Sequence, residues 1–305
     1  MAKDYTILSD ASDKLQALVS ENGAELQVLG RKSIEAQSVI WSGDPEYWGR
    51  HAPILFPSIG KSFDNKIKVS GAFYPMPKHG LALNMKWERI EKVRDEKGNH
   101  RLVMQLTDTP DTLQHYPFRF ALRQIFQIEN DAKLSVTWQV ESREAEGVMP
   151  FSVGAHPAFL IPGFNPDDEV HGYLQFDTPE LVSQDVLPDG HLHIEQTIIK
   201  LEEGNLLPLT NHTFDCDTIL DIRGLNREVT LLDKERRPVV RLTHEMPVIA
   251  IWAPRGGQCP FVCIEPWYGV CDGPAYDGEF TDRPFMQHVK AGEQWSNTYT
   301  IELFD

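Results

Sequence analysis

The chain has 305 residues, 41% of them hydrophobic and 24% charged, the proportions of a globular protein able to bury a large core and not those of a disordered chain. Its 45 acidic against 29 basic residues give a formal charge of −16, and no basic run could track a phosphate backbone, which excludes nucleic acid as a partner. The opening MAKDYTILSD lacks a basic segment leading into an apolar one, and no uncharged stretch approaches the roughly 20 residues that span a bilayer, so a soluble cytoplasmic protein with no membrane partner is expected.

From the N-terminus, period-two alternation predicts strands at YTILS (5–9), ELQVLG (25–30), SVIWS (38–42), RLVMQLTD (101–108) and FALRQIFQIE (120–129). The clearest case is KLSVTWQV (133–140), where Leu134, Val136, Trp138 and Val140 face one way. YLQFD, TILDI, EVTLL, VVRLTH, VIAIWA, FVCIEPW and NTYTIELF continue the series to the C-terminus, with Gly, Pro, Asn and Asp clusters between them. Only 44–51 and 109–117 promise a helical turn. No fixed repeat and no Ser/Gly-rich or Pro-rich linker divides the chain, so one domain over 1–305 is expected. A dozen or more short strands do not stay in one flat sheet, which points to packed sheets or a large sandwich.

Cys216, Cys259, Cys263 and Cys271 are too few for a disulfide scaffold at this length and read as thiols. No Cys-x-x-Cys or His-Glu-x-x-His completes a metal site, and Cys263 within FVCIEPW reads as a small buried residue.

Four stretches place polar residues in apolar settings: WGRHAPILFPSIGK (48–61), PKHGLALN (77–84), VGAHPAFLIP (153–162) and FVCIEPWYGVCD (261–272). Alternation in the last puts Val262, Ile264 and Pro266 on one face and Cys263, Glu265 and Trp267 on the other. A carboxylate beside aromatic rings suits a sugar, whose apolar face stacks while its hydroxyls need acceptors, and Trp252, Trp267 and Tyr268 are available; each is equally readable as a core aromatic. His79, between Lys78 and Gly80, belongs to a tight loop. His156, held extended by the proline after it, is either a proton carrier or a satisfied core histidine. His51, His212 and His244 read as structural or solvent-facing.

GAEL (23–26), Trp41, PEYW and HAPILFPSIGK (45–61), HGLA (79–82), YPFRFALR (116–123), FSVGAHPAF (151–159) and IWAPRGGQCPFVCIEPWYGVCD (251–272) together resemble the aldose 1-epimerase (mutarotase) family, in order and over nearly the whole chain. The chain is most similar to the short bacterial branch associated with lactose and galactose operons, which also resembles the glucose-6-phosphate 1-epimerases. The resemblance implies an all-β fold, a single large and mostly antiparallel β-sandwich, with an open sugar cleft and neither cofactor nor metal. Carried over by position, His79 matches the histidine of His-Gly-Phe-Ala-Arg, His156 that of Gly-His-Pro-Ala-Phe, and Glu265 the glutamate of Cys-Ile-Glu-Pro-Trp. Asp217 fits a hydroxyl-binding aspartate, and Arg50 is the choice for the substrate-binding arginine.

Interconverting α and β anomers needs a base for the C1 hydroxyl proton and an acid for the ring oxygen. Glu265 suits the first role and His156 the second, with reference pKa values of about 4.3 and 6.5, while His79 would bond the ring oxygen or a neighbouring hydroxyl. Leu81 and Leu83 replace the Phe and Arg of the resembled stretch, and leucine has no donor fork for phosphate. Leu160 stands where asparagine is common, which is expected to alter one sugar contact. A free hexose, galactose or glucose, is therefore the expected substrate, with a hexose 6-phosphate or a non-catalytic sugar-binding role as alternatives. Monomer and homodimer are both open.

Overall fold

The computed structural model describes residues 4–31, 38–187, 189–256 and 258–304. Its largest sheet has nine strands, in the spatial order Leu206–Leu209, Gly172–Gln175, Glu228–Leu232, Pro238–Thr243, Gln294–Leu303, Lys133–Ser142, Phe120–Ile128, His100–Thr107 and Glu88–Arg94. A second, eight-stranded sheet runs Leu192–Lys200, Glu180–Val186, Ile219–Asp221, Val248–Trp252, Phe261–Tyr268, Val153–Ala155 and Ile54–Leu55, with Ala158–Leu160 also on Phe261–Tyr268. Smaller sheets of three, two and two strands complete the structure, and the pairings around the two large sheet centres are antiparallel. This is the expected all-β sandwich: both large sheets contribute side chains to one buried apolar cluster, Leu122, Trp138 and Val229 from one and Ile249, Phe261 and Ile264 from the other.

Alternation positions the core. Leu134, Val136, Trp138 and Val140 are all fully buried, each side chain contributing roughly 1.5–3 kcal/mol against exposure. The Trp138 indole N–H would be costly here unpaired; it donates to Gln124 Oε1 at 3.0 Å, and the Gln124 amide donates to the Ala24 carbonyl at 2.8 Å.

Two expectations differ from the outcome. SVIWS forms only isolated bridges, Gly30 to Ser38 and Ile40 to Phe159, because the Ser38 hydroxyl takes the Ile40 N–H (3.1 Å) from the ladder. Conversely, ERIEKVR becomes the strand Glu88–Arg94, an edge strand exposed along nearly its whole length and so without apolar alternation to announce it. The turn expected in 109–117 is the 3-10 turn Thr112–Gln114, and 44–51 closes one turn through the Trp48 N–H to the Asp44 carbonyl (2.9 Å). No helix among the described residues is long and apolar enough to cross a membrane.

Candidate active site

Phe261–Tyr268 lies in the interior of the second sheet and is buried on both faces until its last residue. On one side Val248–Trp252 pairs with it, setting Ala250 opposite Glu265 and Trp252 opposite Cys263. On the other, two short strands share a single register: Gly154 faces Trp267 and Ala158 faces Cys263, so His156, in the gap between them, falls opposite Glu265. Pro157 has no N–H to give the ladder, and the pairing breaks at that point. The His156 N–H turns instead to the Pro53 carbonyl (3.1 Å). The consequence is a His156 Nε2 to Glu265 Oε2 separation of 3.2 Å, with the two residues only 8% and 1% exposed. The approach is close without being aligned as a hydrogen bond: Glu265 Oε2 and His156 Nδ1 are both buried with no partner.

Aromatic rings hold the imidazole in place. Trp48 stacks on it with centroids 4.7 Å apart, and Trp252 and His79 meet it edge-on at 5.6 Å each. Burial pushes the Glu265 carboxyl well above the usual carboxylate range, with Lys78 and the Trp267 indole opposing and Asp217 reinforcing the shift. Burial likewise holds the His156 imidazole well below its ordinary value, helped by His79 and Lys78. Both directions favour a pair with one proton in total and no net charge.

His79 arrives from a different part of the chain, on a left-handed backbone (φ 66°). Its N–H donates to the Gly60 carbonyl (2.9 Å), and the Gly60 N–H donates to its Nδ1 (3.2 Å). Since Nδ1 is an acceptor, the ring proton sits on Nε2, making the neutral imidazole a donor. Burial, with the Lys78 ammonium beside it, holds its pKa down to about 3. The next residue is glycine for a steric reason: a Cβ at Gly80 would lie 2.2 Å from the Phe56 carbonyl oxygen.

A cleft of about 390 Å³ opens over these groups, within the usual range for small-molecule sites. Glu265, His156, His79, Asp217, Arg50, Trp252 and Trp267 all line it. Asp217 has a left-handed backbone (φ 73°), accepts the Thr218 hydroxyl at 3.0 Å and meets Arg255 at 3.5 Å. Arg50 is tied to its own chain, donating to the Leu83 carbonyl (3.0 Å) and to Asn84 Oδ1. Trp267 is 6% exposed, its indole N–H on the Ala155 carbonyl (3.2 Å), so it offers the cleft a wall; Trp252 and Trp48 are more open.

Sequence reasoning missed Trp48 as a site residue, although PEYW follows directly on the Asp44 turn that carries it. Two readings are corrected. Tyr268 points away from the cleft, as its position next to Trp267 on a strand requires, and packs edge-on against Trp295 at 5.2 Å. Leu160 pairs opposite Phe261 and is not among the cleft residues, so its departure from asparagine touches no group there. His51, His212 and His244 also lie outside the lining.

The sequence profile of the family described as Aldose 1-epimerase matches residues 5–302. The chain belongs to the aldose 1-epimerase family. The LacX proteins of Lactococcus lactis subsp. lactis, chromosomal and plasmid-borne, are each 26% identical to it over 287 residues, covering 92% of this chain and 94% of theirs. A galactose mutarotase-like protein from Lactobacillus casei superposes with a TM-score of 0.86 at 27% identity, over 98% of this chain and 100% of the other. A galactose mutarotase related enzyme from Lactobacillus acidophilus gives 0.86 at 25% identity, over 99% and 97%. Membership of the aldose 1-epimerase family supports an epimerase, an isomerase class of enzyme, for this chain. Leu83, which stands where the resembled stretch has arginine, is among the residues lining the cleft.

Proposed function

We propose that the protein is an aldose 1-epimerase that interconverts the α and β anomers of a free hexose, galactose or glucose. The observation that carries this reading is the opposition of Glu265 and His156 at 3.2 Å on the floor of an open cleft. The two oxygens that must exchange protons, the C1 hydroxyl and the ring oxygen, are bonded to the same carbon. A base and an acid serving them need to stand side by side, as these two residues do.

In the reactive state Glu265 is a carboxylate and His156 an imidazolium. Glu265 takes the C1 hydroxyl proton as His156 gives its proton to the ring oxygen, the C1–O5 bond breaks, and an open-chain aldehyde forms. The protein is left with a neutral carboxyl and a neutral imidazole, the state that burial favours, so its proton count is unchanged. Rotation about C1–C2 presents the other face of the aldehyde, and the reverse transfers close the ring. Each positioned carrier is worth about 10² to 10⁴ in rate. His79, a neutral donor through Nε2, would stabilise charge developing on the ring oxygen or a neighbouring hydroxyl. Trp48 and Trp252 suit stacking on the apolar sugar face, and Asp217 suits a hydroxyl.

A neutral sugar is favoured over a phosphate ester because Leu83, in the cleft lining, has no donor fork and two donor nitrogens of Arg50 are already engaged. Polarimetry of freshly dissolved α-galactose, α-glucose and glucose 6-phosphate tests the reading. Acceleration of the free sugars is expected; acceleration of the ester alone would overturn the substrate assignment, and sugar binding at the background rate would overturn the activity.

A further inference from the structure

Cys263 has no part in the proton transfers described above, yet it stands next to them. It lies two residues before Glu265 on Phe261–Tyr268, fully buried, in register with Trp252 and Ala158. One ligand atom from each of His156, Cys263 and Glu265 falls within 4.8 Å of the other two, all three residues being buried. The Glu265 Oε2 atom that faces His156 Nε2 is shut away from water with no hydrogen-bond partner. Buried polar atoms left unpaired cost free energy, and such a vacancy is a standing invitation to an electrophile.

The ligand types decide which one. Nitrogen, sulfur and carboxylate oxygen at bond lengths of about 2.0–2.3 Å make a tetrahedral zinc site whose neighbouring ligand atoms lie roughly 3.3–3.6 Å apart. The His156 to Glu265 edge, at 3.2 Å, already has nearly that length. Small rotations would bring the Cys263 sulfur in. His156 and Glu265 line the cleft, which gives an ion a route in from solvent, while a thiolate ligand disfavours magnesium and calcium.

We propose that His156, Cys263 and Glu265 form an inhibitory site for a thiophilic divalent cation such as zinc, which shuts the enzyme off by seizing both proton carriers at once. The inhibition rests on the epimerase reading; the binding does not. Uptake displaces two protons to water, the Cys263 thiol proton and the one carried by the His156–Glu265 pair, leaving a thiolate and a carboxylate on the metal. Burial holds that thiol well above its ordinary range, with Glu265 and Cys259 adding to the shift.

The test uses the full chain carrying Cys216→Ser, because Cys216 is exposed and would bind metal on the surface. Cobalt(II) added to this protein should give a thiolate-to-metal charge-transfer band at one equivalent, and zinc should displace it. Cys263→Ala should lose the band and bind zinc at least tenfold more weakly while keeping its anomerase activity. Zinc should suppress anomerisation more than tenfold in the parent, reversibly with a chelator, and far less in Cys263→Ala; Cys263→Ser repeats the comparison should the alanine variant fold poorly. Absence of the band, or its persistence in the Cys263 variants, overturns the site. A band without inhibition of an active enzyme overturns the regulatory role. A protein with the band and no anomerase activity retains the site and refutes the epimerase reading instead.

Discussion

His156 and Glu265 face each other because Gly154 and Ala158, two residues to either side of the histidine, pair with Trp267 and Cys263 in one antiparallel register. The two residues thus stand where a cross-strand pair would, across a break in the ladder, the kind of neighbour whose Cβ atoms sit about 5 Å apart in a sheet. Backbone hydrogen bonding sets the spacing, and the Pro157 interruption leaves His156 free to tilt towards the cleft. Precision of this sort is inherited from a rigid element, not from a mobile loop.

Glu265→Gln removes the base and keeps the shape. Anomerisation should fall by about 10² to 10⁴, measured by polarimetry with saturating sugar. Stability should move the other way. Burial raises the folded-state pKa of Glu265 above its ordinary value of 4.5, so the folded chain binds more protons than the unfolded one above that pH, and stability drains as pH rises towards the folded pKa. Glutamine cannot ionise. The variant's Tm should therefore exceed the parent's at pH 8, with the difference vanishing near pH 4; an equal difference at both values would contradict the assignment.

His156 and His79 should separate in their pH profiles. The essential species carries one proton on the His156–Glu265 pair, and the shifts run in opposite directions, down for the histidine and up for the glutamate. A broad plateau of kcat through neutral pH follows, with an acid limb well below 6.5. His156→Asn should lower kcat by about 10² or more and remove that limb. His79, neutral above about pH 3, takes no part in it. His79→Ala should cost about 10² in kcat, as loss of one charge-stabilising donor does, with the profile's shape preserved.

The sequence carried much of this, and unevenly. Strands with one face in the core, such as Lys133–Ser142, alternate visibly and could be placed to within a residue or two. Phe261–Tyr268 was legible for a different reason, a carboxylate inside an apolar run, which no core tolerates without cause. What stayed hidden was register. Nothing local in VGAHPAFLIP states that its histidine lies across from Glu265, since that follows from pairings between segments more than a hundred residues apart. Trp48 was hidden likewise, because its contact with His156 depends on how the 44–48 turn folds back over the second sheet.

Leu83→Arg should shift the substrate preference. Leu83 lines the cleft, and the substitution adds a guanidinium at a position that now has only a hydrocarbon side chain. A charge-assisted hydrogen bond to a phosphate is worth roughly 1.5–3 kcal/mol, so kcat/KM for glucose 6-phosphate relative to glucose should rise about tenfold or more. No change in that ratio would mean that Leu83 lies away from the C6 end of the bound sugar.

Gly154→Ala tests whether the sheet itself shapes the cleft. A Cβ at this position would sit 2.4 Å from Trp267 Cδ1, a distance no packed structure accepts, and a tight 3.1 Å from Ile59 Cδ1, so the indole must move. Trp267 is anchored by its N–H on the Ala155 carbonyl, and that bond would stretch or break. Overpacking of this kind costs roughly 1–3 kcal/mol, which a denaturant midpoint will register. Because Trp267 is cleft wall and flanks Glu265 on the same strand face, the damage should reach the chemistry as well. KM for the hexose should rise and kcat should fall, whereas an alanine at exposed Gly292, strained by its left-handed backbone (φ 73°) but with nothing within 4 Å of its Cβ, should disturb neither kinetic constant. Matching kinetic losses at both glycines would show that the displaced indole does not account for the loss.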